Sequence, residues 1–359
     1  MKALPAPTFS IRWTATLTVP QPGDYGLGIA RQECDTCPGT ISTRFYLDDR
    51  LIVNENIQSR TGAMSNTSSV HLQAGKPYKI RVEYVQRGGG SGFELVWKPP
   101  VDALLSEALE TAKQSDLAIL CLGLNSRLEG EESPIQIPGF DHGDRTDIRL
   151  PDAEEKLLGA VLDTGKPVIV VLLNGSALAV QLAKDRAKAI LEAWYPGQEG
   201  GTAIAKTLSG EYNPAGRLPV TFYESVDQLP SFTDYSMKRR TYRYFTGKPL
   251  YPFGYGLSYA EFGYSNLSIA PDKTKLTARV TNKSETAGDE IVQLYVRKPV
   301  GNAELRGFQR IHLGARESKA VEFSLSPSDI QNATLVSVGG GQPLREWTGD
   351  HYVELRLQQ

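Results

Sequence analysis

The hydrophobic period of this chain changes twice, and those two changes limit what it can fold into more than any other feature. Over residues 8–99, apolar and polar residues alternate in short runs such as FSIRWTATLTV, TRFYLDDRLIVNE, YKIRVEYV and GFELVWK. The segments between runs, PQPGDYG, LDDR, AGKP and RGGGSG, are turn sequences. A period of two punctuated by turns predicts an antiparallel β-sandwich. The KPP at 98–100 breaks this pattern, and the period then lengthens. VDALLSEALETAKQS has helical spacing, and the DLAILCLGL that follows is apolar almost throughout. DAEEKLLGAVLDTG (helix), PVIVVLLNG (strand), AILEAWYPG (strand) and QEGGTAIAKTLSGEYNP (helix) continue the alternation. Nearly all-apolar strands between helices predict a mainly parallel sheet in a three-layer α/β arrangement. After a Tyr/Phe/Gly-rich stretch at 241–262, period two returns in KLTARVTN, EIVQLYVRK, KAVEFSLS and DHYVELRLQ, which predicts a second sandwich. The expectation is a multidomain chain: a β-sandwich over 1–99, an α/β domain over 100–262 and a β-sandwich over 263–359. A length of 359 residues suits two or three domains.

Charge removes two classes of partner. Lys plus Arg total 39 against 41 for Asp plus Glu, a net charge of −2, so no basic field is available to hold nucleic acid or an anionic membrane surface. No apolar run approaches the ~20 residues of a membrane span. The opening MKALPAPTFSIRW has no apolar signal core, so no targeting address is expected in the sequence as given. Cys121, inside DLAILCLGL, is expected to be an inert core residue. Cys34 and Cys37 form a CxxC in ECDTCPG. A loop disulfide or two free thiols are each favoured there over zinc, because the four histidines are scattered and no further soft ligands stand nearby. No metal and no cofactor are expected.

The chemistry concentrates after DLAILCLGL, in RLEGEESPIQIPGFDHGDRTDIRLP (127–151), where Glu129, Glu131 and Glu132 crowd into four residues. In an open α/β sheet, ligands bind beyond the carboxyl ends of the strands, which is where this loop falls. Carboxylates held close together raise one another's pKa, so one can stay protonated near neutral pH, as a general acid must. A solvated acidic loop is the plainer reading of the same pattern. His142, Asp144 and Arg145 in DHGDR could join a site, with Arg145 expected to pair with a loop carboxylate and hold the loop's shape. PGQEGG (196–201) lacks the lysine and spacing of a phosphate loop and reads as a tight strand-to-helix turn. YPFGYGLSY (251–259) reads as packing between domains. TDYS (233–236) carries no catalytic weight, and the five Asn-x-Ser/Thr triplets, one of them in NGS beside a buried strand, read as chance.

Taken in order, LEGEE…GDRTDIRLP, NPAGRLPVTFY, RTYRYF with YPFGYGLSY, and ELRGFQRIHLGARES resemble the C-terminal part of glycoside hydrolase family 3, the β-glucosidase and β-xylosidase family. The resemblance covers nearly the whole chain. It implies that the first sandwich is similar to the protective-antigen-type domain some members carry inserted in the α/β domain. It implies likewise that the last sandwich is fibronectin-type-III-like. The family cleaves β-glycosides with retention, using a barrel aspartate as nucleophile and a loop glutamate of the α/β domain as general acid/base. The matching position is Glu131, with Glu129 as the alternative. Glu132 is expected to point away or to pair with Arg145.

The departures matter as much. The family's (β/α)₈ barrel is missing, no SDW or SDY occurs, and the opening βα unit of the α/β domain is absent. Retaining hydrolysis needs two carboxyl groups about 5–5.5 Å apart. The expected function is therefore the C-terminal part of a retaining β-glycosidase. It would supply the general acid/base but not the nucleophile, act on a β-glycoside or oligosaccharide, and require an N-terminal barrel domain or chain as partner. A homo-oligomer is a further expectation, from the unpaired sheet edge. A non-catalytic carbohydrate-binding module and a structural fragment are the alternatives. The periplasm or extracellular space is favoured over the cytoplasm.

Overall fold

The computed structural model describes residues 8–31, 39–58, 65–88, 93–126, 128–130, 136–344 and 351–357. Seven strands open the chain: β1 (Thr8–Leu17), β2 (Gly23–Arg31), β3 (Gly39–Leu47), β4 (Arg50–Gln58), β5 (Ser65–Leu72), β6 (Tyr78–Gly88) and β7 (Phe93–Lys98). They form two antiparallel sheets, ordered β1-β6-β3-β4 and β5-β2-β7. Alternate residues supply the core, with Tyr25, Leu27 and Ile29 of β2 facing Phe45 and Leu47 of β3 and Val82 of β6. Burying each such side chain contributes about 1.5–3 kcal/mol. The LDDR turn between β3 and β4 is built on Asp48 and Asp49, both at positive φ (46° and 63°), as a two-residue hairpin turn of matching twist demands. Cys34 and Cys37 lie outside the described residues.

The period change at 98–100 is a change of architecture. Helix α1 (Val101–Gln114) starts there, followed by β8 (Ala118–Gly123). A small antiparallel hairpin set comes next: β9 (Gln136–Ile137), β10 (Phe140–Asp141) and β11 (Asp144–Arg145). Then follow α2 (Asp152–Leu162), β12 (Val168–Leu173), α3 (Gln181–Arg186), β13 (Ala189–Glu192), α4 (Gly200–Ser209) and α5 (Thr241–Tyr244). β13, β12 and β8 make one sheet in that order, parallel throughout. Leu122, Val168, Val170 and Leu172 point to one face, where Leu158, Val161 and Leu178 complete a core.

The expectation that DLAILCLGL is buried holds for only half of its side chains. Leu120 and Leu122 join the core, whereas Ile119 is 48% exposed and Cys121 is an exposed free thiol. The reason is position: β8 is an edge strand of the described sheet, and its odd-numbered face is not covered by the described elements. Cys121 is therefore no core residue.

The chain closes with β14 (Phe262–Ile269), β15 (Lys275–Asn282), β16 (Gly288–Arg297), β17 (Glu304–Leu313), β18 (Ser318–Ser324), α6 (Pro327–Ile330), β19 (Leu335–Gly339) and β20 (Tyr352–Arg356). The sheets β14-β15-β18 and β17-β16-β19-β20 enclose a second sandwich core around Leu276, Val280, Val292, Leu294 and Val336. Arg217, from the segment after α4, reaches into this sandwich. Its Nη2 donates to both oxygens of the buried Glu290 carboxylate at 2.9 and 3.0 Å, and its Nε donates to the Gly340 carbonyl at 3.1 Å. YPFGYGLSY packs at the same junction, where Gly254's carbonyl accepts from Gln293 and Phe253 stacks on Tyr242 with centroids 4.2 Å apart. Among the described residues, no helix is long and apolar enough to cross a membrane. None of their His, Cys, Asp and Glu side chains cluster in threes as a metal site would require.

Candidate active site

Parallel strands leave the polar ends of three segments side by side at their C-terminal edge. On β12 and β13 the inward-facing series runs Val168, Val170, Leu172 and Ile190. The next positions in the same series are Asn174 and Glu192. Two polar residues thus stand at the rim of an apolar core. Asn174 is fully buried, and its Nδ2 donates to the Ser176 carbonyl at 2.9 Å and to Glu192 Oε2 at 3.3 Å. Glu192 Oε1 accepts from the backbone N–H of Trp194 at 3.1 Å. Burial pushes the Glu192 carboxyl up to about 7, and these two hydrogen bonds only partly oppose it.

Glu129 sits above this layer, one turn beyond β8. Its backbone N–H donates to the Asn125 carbonyl at 3.1 Å, which curls the loop back over the sheet edge. One carboxylate oxygen accepts from the Tyr195 hydroxyl. The other accepts from Ser176 Oγ at 3.3 Å, and Arg145 Nη1 in turn donates to Ser176 Oγ at 3.0 Å. Gly175 makes the arrangement possible: an added Cβ would lie 2.7 Å from Tyr195 Cε2, so only glycine lets the phenol ring lie on the NGS turn. Burial, then the Glu129 carboxylate, push the Tyr195 hydroxyl well above its usual range, so it stays protonated and donates. Burial lowers the Arg145 guanidinium, with Glu129 pulling the other way. Nearby, Glu154 accepts from the Gly123 N–H at 2.7 Å, and its carboxyl is raised by burial.

Of the residues singled out from sequence, Glu129 is in this network, while Glu131 and Glu132 lie outside the described residues. Arg145 reaches the acidic loop, and among the described residues it does so without an ion pair. It meets Glu129 through Ser176, and its Nη2 donates to the Arg149 carbonyl at 3.0 Å, which ties the β11 end to the segment before α2. His142 and Asp144 are not brought to Glu129; His142 Nδ1 lies 2.7 Å from the Asp141 carboxylate on the exposed hairpin. Ser176, Tyr195, Asn174 and Glu192 were not singled out from sequence. A usable signal was there: NGS and E-A-W-Y interrupt apolar strands at their carboxyl ends, where α/β sheets place their sites.

The arrangement presents one carboxylate held by neutral donors, with a cation one hydroxyl away. Such a carboxylate keeps its orientation without being locked as half of a salt bridge. The sequence profile of the glycosyl hydrolase family 3 C-terminal domain matches residues 23–259, a span that takes in β2–β7 as well as the α/β unit. A fibronectin type III-like domain profile matches residues 290–336. The chain is 35% identical over 337 residues to a xylan 1,4-beta-xylosidase of Xylanibacter ruminicola, covering 91% of this chain and 38% of that protein. It is 35% identical over 252 residues to a periplasmic beta-glucosidase of Salmonella typhimurium, covering 64% of this chain and 31% of that protein. Among solved structures, a beta-glucosidase from Kluyveromyces marxianus in complex with glucose superposes over 98% of this chain and 45% of its own, with a TM-score of 0.68 at 26% identity. The chain thus spans less than half the length of each of these relatives.

Proposed function

The chain belongs to glycosyl hydrolase family 3, and from that membership we propose that it supplies the general acid/base side of a retaining β-glycosidase. The observation that carries the reading is the Glu129 carboxylate, oriented by Tyr195 and Ser176 at the carboxyl edge of the parallel sheet. The same short loop continues into Glu131. In this reading Glu131 is the acid/base, protonating the leaving oxygen and then activating water, and Glu129 is the fixed carboxylate beside it that anchors the loop. The nucleophile comes from a further domain or chain, in keeping with a match to 38% of the xylosidase and 31% of the glucosidase. The substrate is a terminal β-linked sugar on an oligosaccharide or glycoside, the class that the names of both relatives indicate.

The three units are bounded at 1–99, 100–262 and 263–359, the first resembling the protective-antigen-type domain and the last fibronectin type III. The likeness to a periplasmic relative supports a place outside the cytoplasm. The deciding experiment assays aryl β-glucoside and β-xyloside hydrolysis by the chain alone and with a barrel domain taken from a family relative. Turnover only in the combined sample, lowered by Glu131→Ala, supports the reading. Turnover by the chain alone overturns it. Glycan binding with no turnover in either sample favours a carbohydrate-binding module instead.

A further inference from the structure

The proposed reaction uses Glu129 and Glu131 and leaves the partly buried Glu192 carboxylate without a task. Glu192 sits partly buried at the rim of the α/β core, and among the described residues the charged groups of this sheet edge have other partners. Arg145 reaches Ser176 and the Arg149 carbonyl, Glu129 reaches Tyr195 and Ser176, and Glu154 reaches the Gly123 N–H. Among the described residues, Glu192 itself meets two donors, the Trp194 N–H and Asn174 Nδ2. A carboxylate drawn partly out of water, with no ion pair among the described residues, carries a desolvation cost that pairing does not offset. Both of its donors lead to the same place.

The first route runs through the backbone. Trp194 has φ of 54°, a left-handed conformation that a residue with a large side chain adopts only where its surroundings hold it. The Glu192–Trp194 hydrogen bond closes that turn, and the next residue is Tyr195, whose hydroxyl donates to Glu129. The second route runs through Asn174, whose Nδ2 joins Glu192 to the Ser176 carbonyl, while Ser176 Oγ donates to the other oxygen of Glu129. Each oxygen of the Glu129 carboxylate is therefore held by a residue that one intervening residue, Trp194 or Asn174, connects to Glu192.

We infer that Glu192 is a positioning residue for Glu129, acting through the Trp194–Tyr195 turn on one side and through Asn174 and Ser176 on the other. The inference rests on the proposed role of the acidic loop only for its effect on turnover; the positioning itself belongs to this chain alone. The ionised carboxylate accepts from both donors, and protonation takes one acceptor oxygen from them. The grip on Glu129 accordingly weakens as Glu192 gains a proton, in the neutral range that its burial dictates.

The test uses the full chain, with NMR of the Trp194 and Tyr195 amides and of the Glu129 side-chain carboxyl carbon across pH 5–9. The expected result is a common titration near neutrality seen at the Trp194 amide and relayed to Glu129. Glu192→Gln keeps the fold and one acceptor but abolishes that titration. Glu192→Ala shifts the Glu129 carboxyl signal and lowers hydrogen-exchange protection of the Trp194 amide by about 10-fold, the size of one lost hydrogen bond. If Glu192→Ala does not fold, the Glu192→Gln titration alone decides. A Glu129 signal blind to both substitutions overturns the inference. With a barrel supplied, Glu192→Gln is expected to flatten the neutral-range pH dependence of kcat while leaving KM unchanged. Coupling seen by NMR without any effect on turnover would refute the proposed role of the loop and leave the positioning standing.

Discussion

Tyr195 and Glu129 stand 66 positions apart in the chain and share a hydrogen bond, the phenol donating to the carboxylate. That bond joins the loop after β8 to the turn after β13 across the carboxyl edge of the parallel sheet, with β12 between them. Removing the donor tests whether this contact orders the acidic loop. Tyr195→Phe leaves Glu129 with Ser176 as its side-chain partner. The contact is half-exposed, so the expected loss is at the low end for a hydrogen bond, about 0.5–1.5 kcal/mol, measured by denaturant unfolding. A barrel-complemented enzyme should lose several-fold in kcat by the same change, and an unaltered kcat would remove Tyr195 from any role in catalysis.

The two loop glutamates should separate kinetically. Positioned general acid catalysis is worth ~10²–10⁴-fold, so Glu131→Ala should cost about that on a substrate with a poor leaving group when a barrel is supplied. On an activated aryl glycoside the first step suffers less, and azide should restore turnover by attacking without proton removal. Glu129→Ala should cost less and show no azide rescue, because its part is to anchor the loop. Azide rescue that follows Glu129 rather than Glu131 would exchange the two roles.

Glu192 carries a sign-definite pH signature. Its carboxyl rises from an ordinary 4.5 to about 7 in the folded chain, so the folded state holds this proton more tightly than the unfolded state. Its contribution is neutral below about 4.5 and becomes increasingly destabilising as pH rises to 7, levelling off above that. Glu192→Gln removes the titration. The variant's stability relative to the parent should therefore improve between pH 5 and pH 8, by up to ~3 kcal/mol. Paired denaturation curves at the two pH values check this. A difference that is flat with pH would mean that Glu192 is not desolvated in the folded chain.

Exposed apolar surface on an edge strand promotes association. With Ile119 and Cys121 exposed on β8, the chain should self-associate as its concentration rises. Sedimentation velocity over a 100-fold concentration range, roughly, is the measurement, and Ile119→Lys should shift the distribution toward monomer. A monomer at every concentration, under reducing conditions, would show that this edge is silent.

How much of this was legible in sequence follows from which forces act locally. Strand and helix periods reflect local burial, so KLTARVTN could be read as a half-buried strand, and β15 runs Lys275–Asn282. DLAILCLGL misled because apolarity records what a strand is suited to bury, not whether a neighbour is there to bury it. Ile119 and Cys121 are suited to a covered face and lie on an open one. The acidic loop was visible because three carboxylates in four residues are rare without a reason. Tyr195 and Ser176 were not, because each gains its meaning from Glu129, and nothing local to WYPG or NGS announces that partner. Arg145 was correctly drawn toward the loop by its charge. The intervening Ser176 hydroxyl could not be foreseen, since it depends on the placement of β12 beside β8.

The Arg217–Glu290 pair bears on how such chains can be divided and recombined. Cutting at 262 separates two hydrophobic cores cleanly, yet it would strand an arginine on one piece and a buried carboxylate on the other. Breaking a buried pair in that way costs about 3–5 kcal/mol, a large fraction of the stability of either piece. The α/β unit and the last sandwich are thus separate in packing but joined in charge. Modules of this kind are exchanged together or re-engineered at both ends, and a shuffling experiment that moves one without the other should yield insoluble protein unless position 290 is made neutral as well.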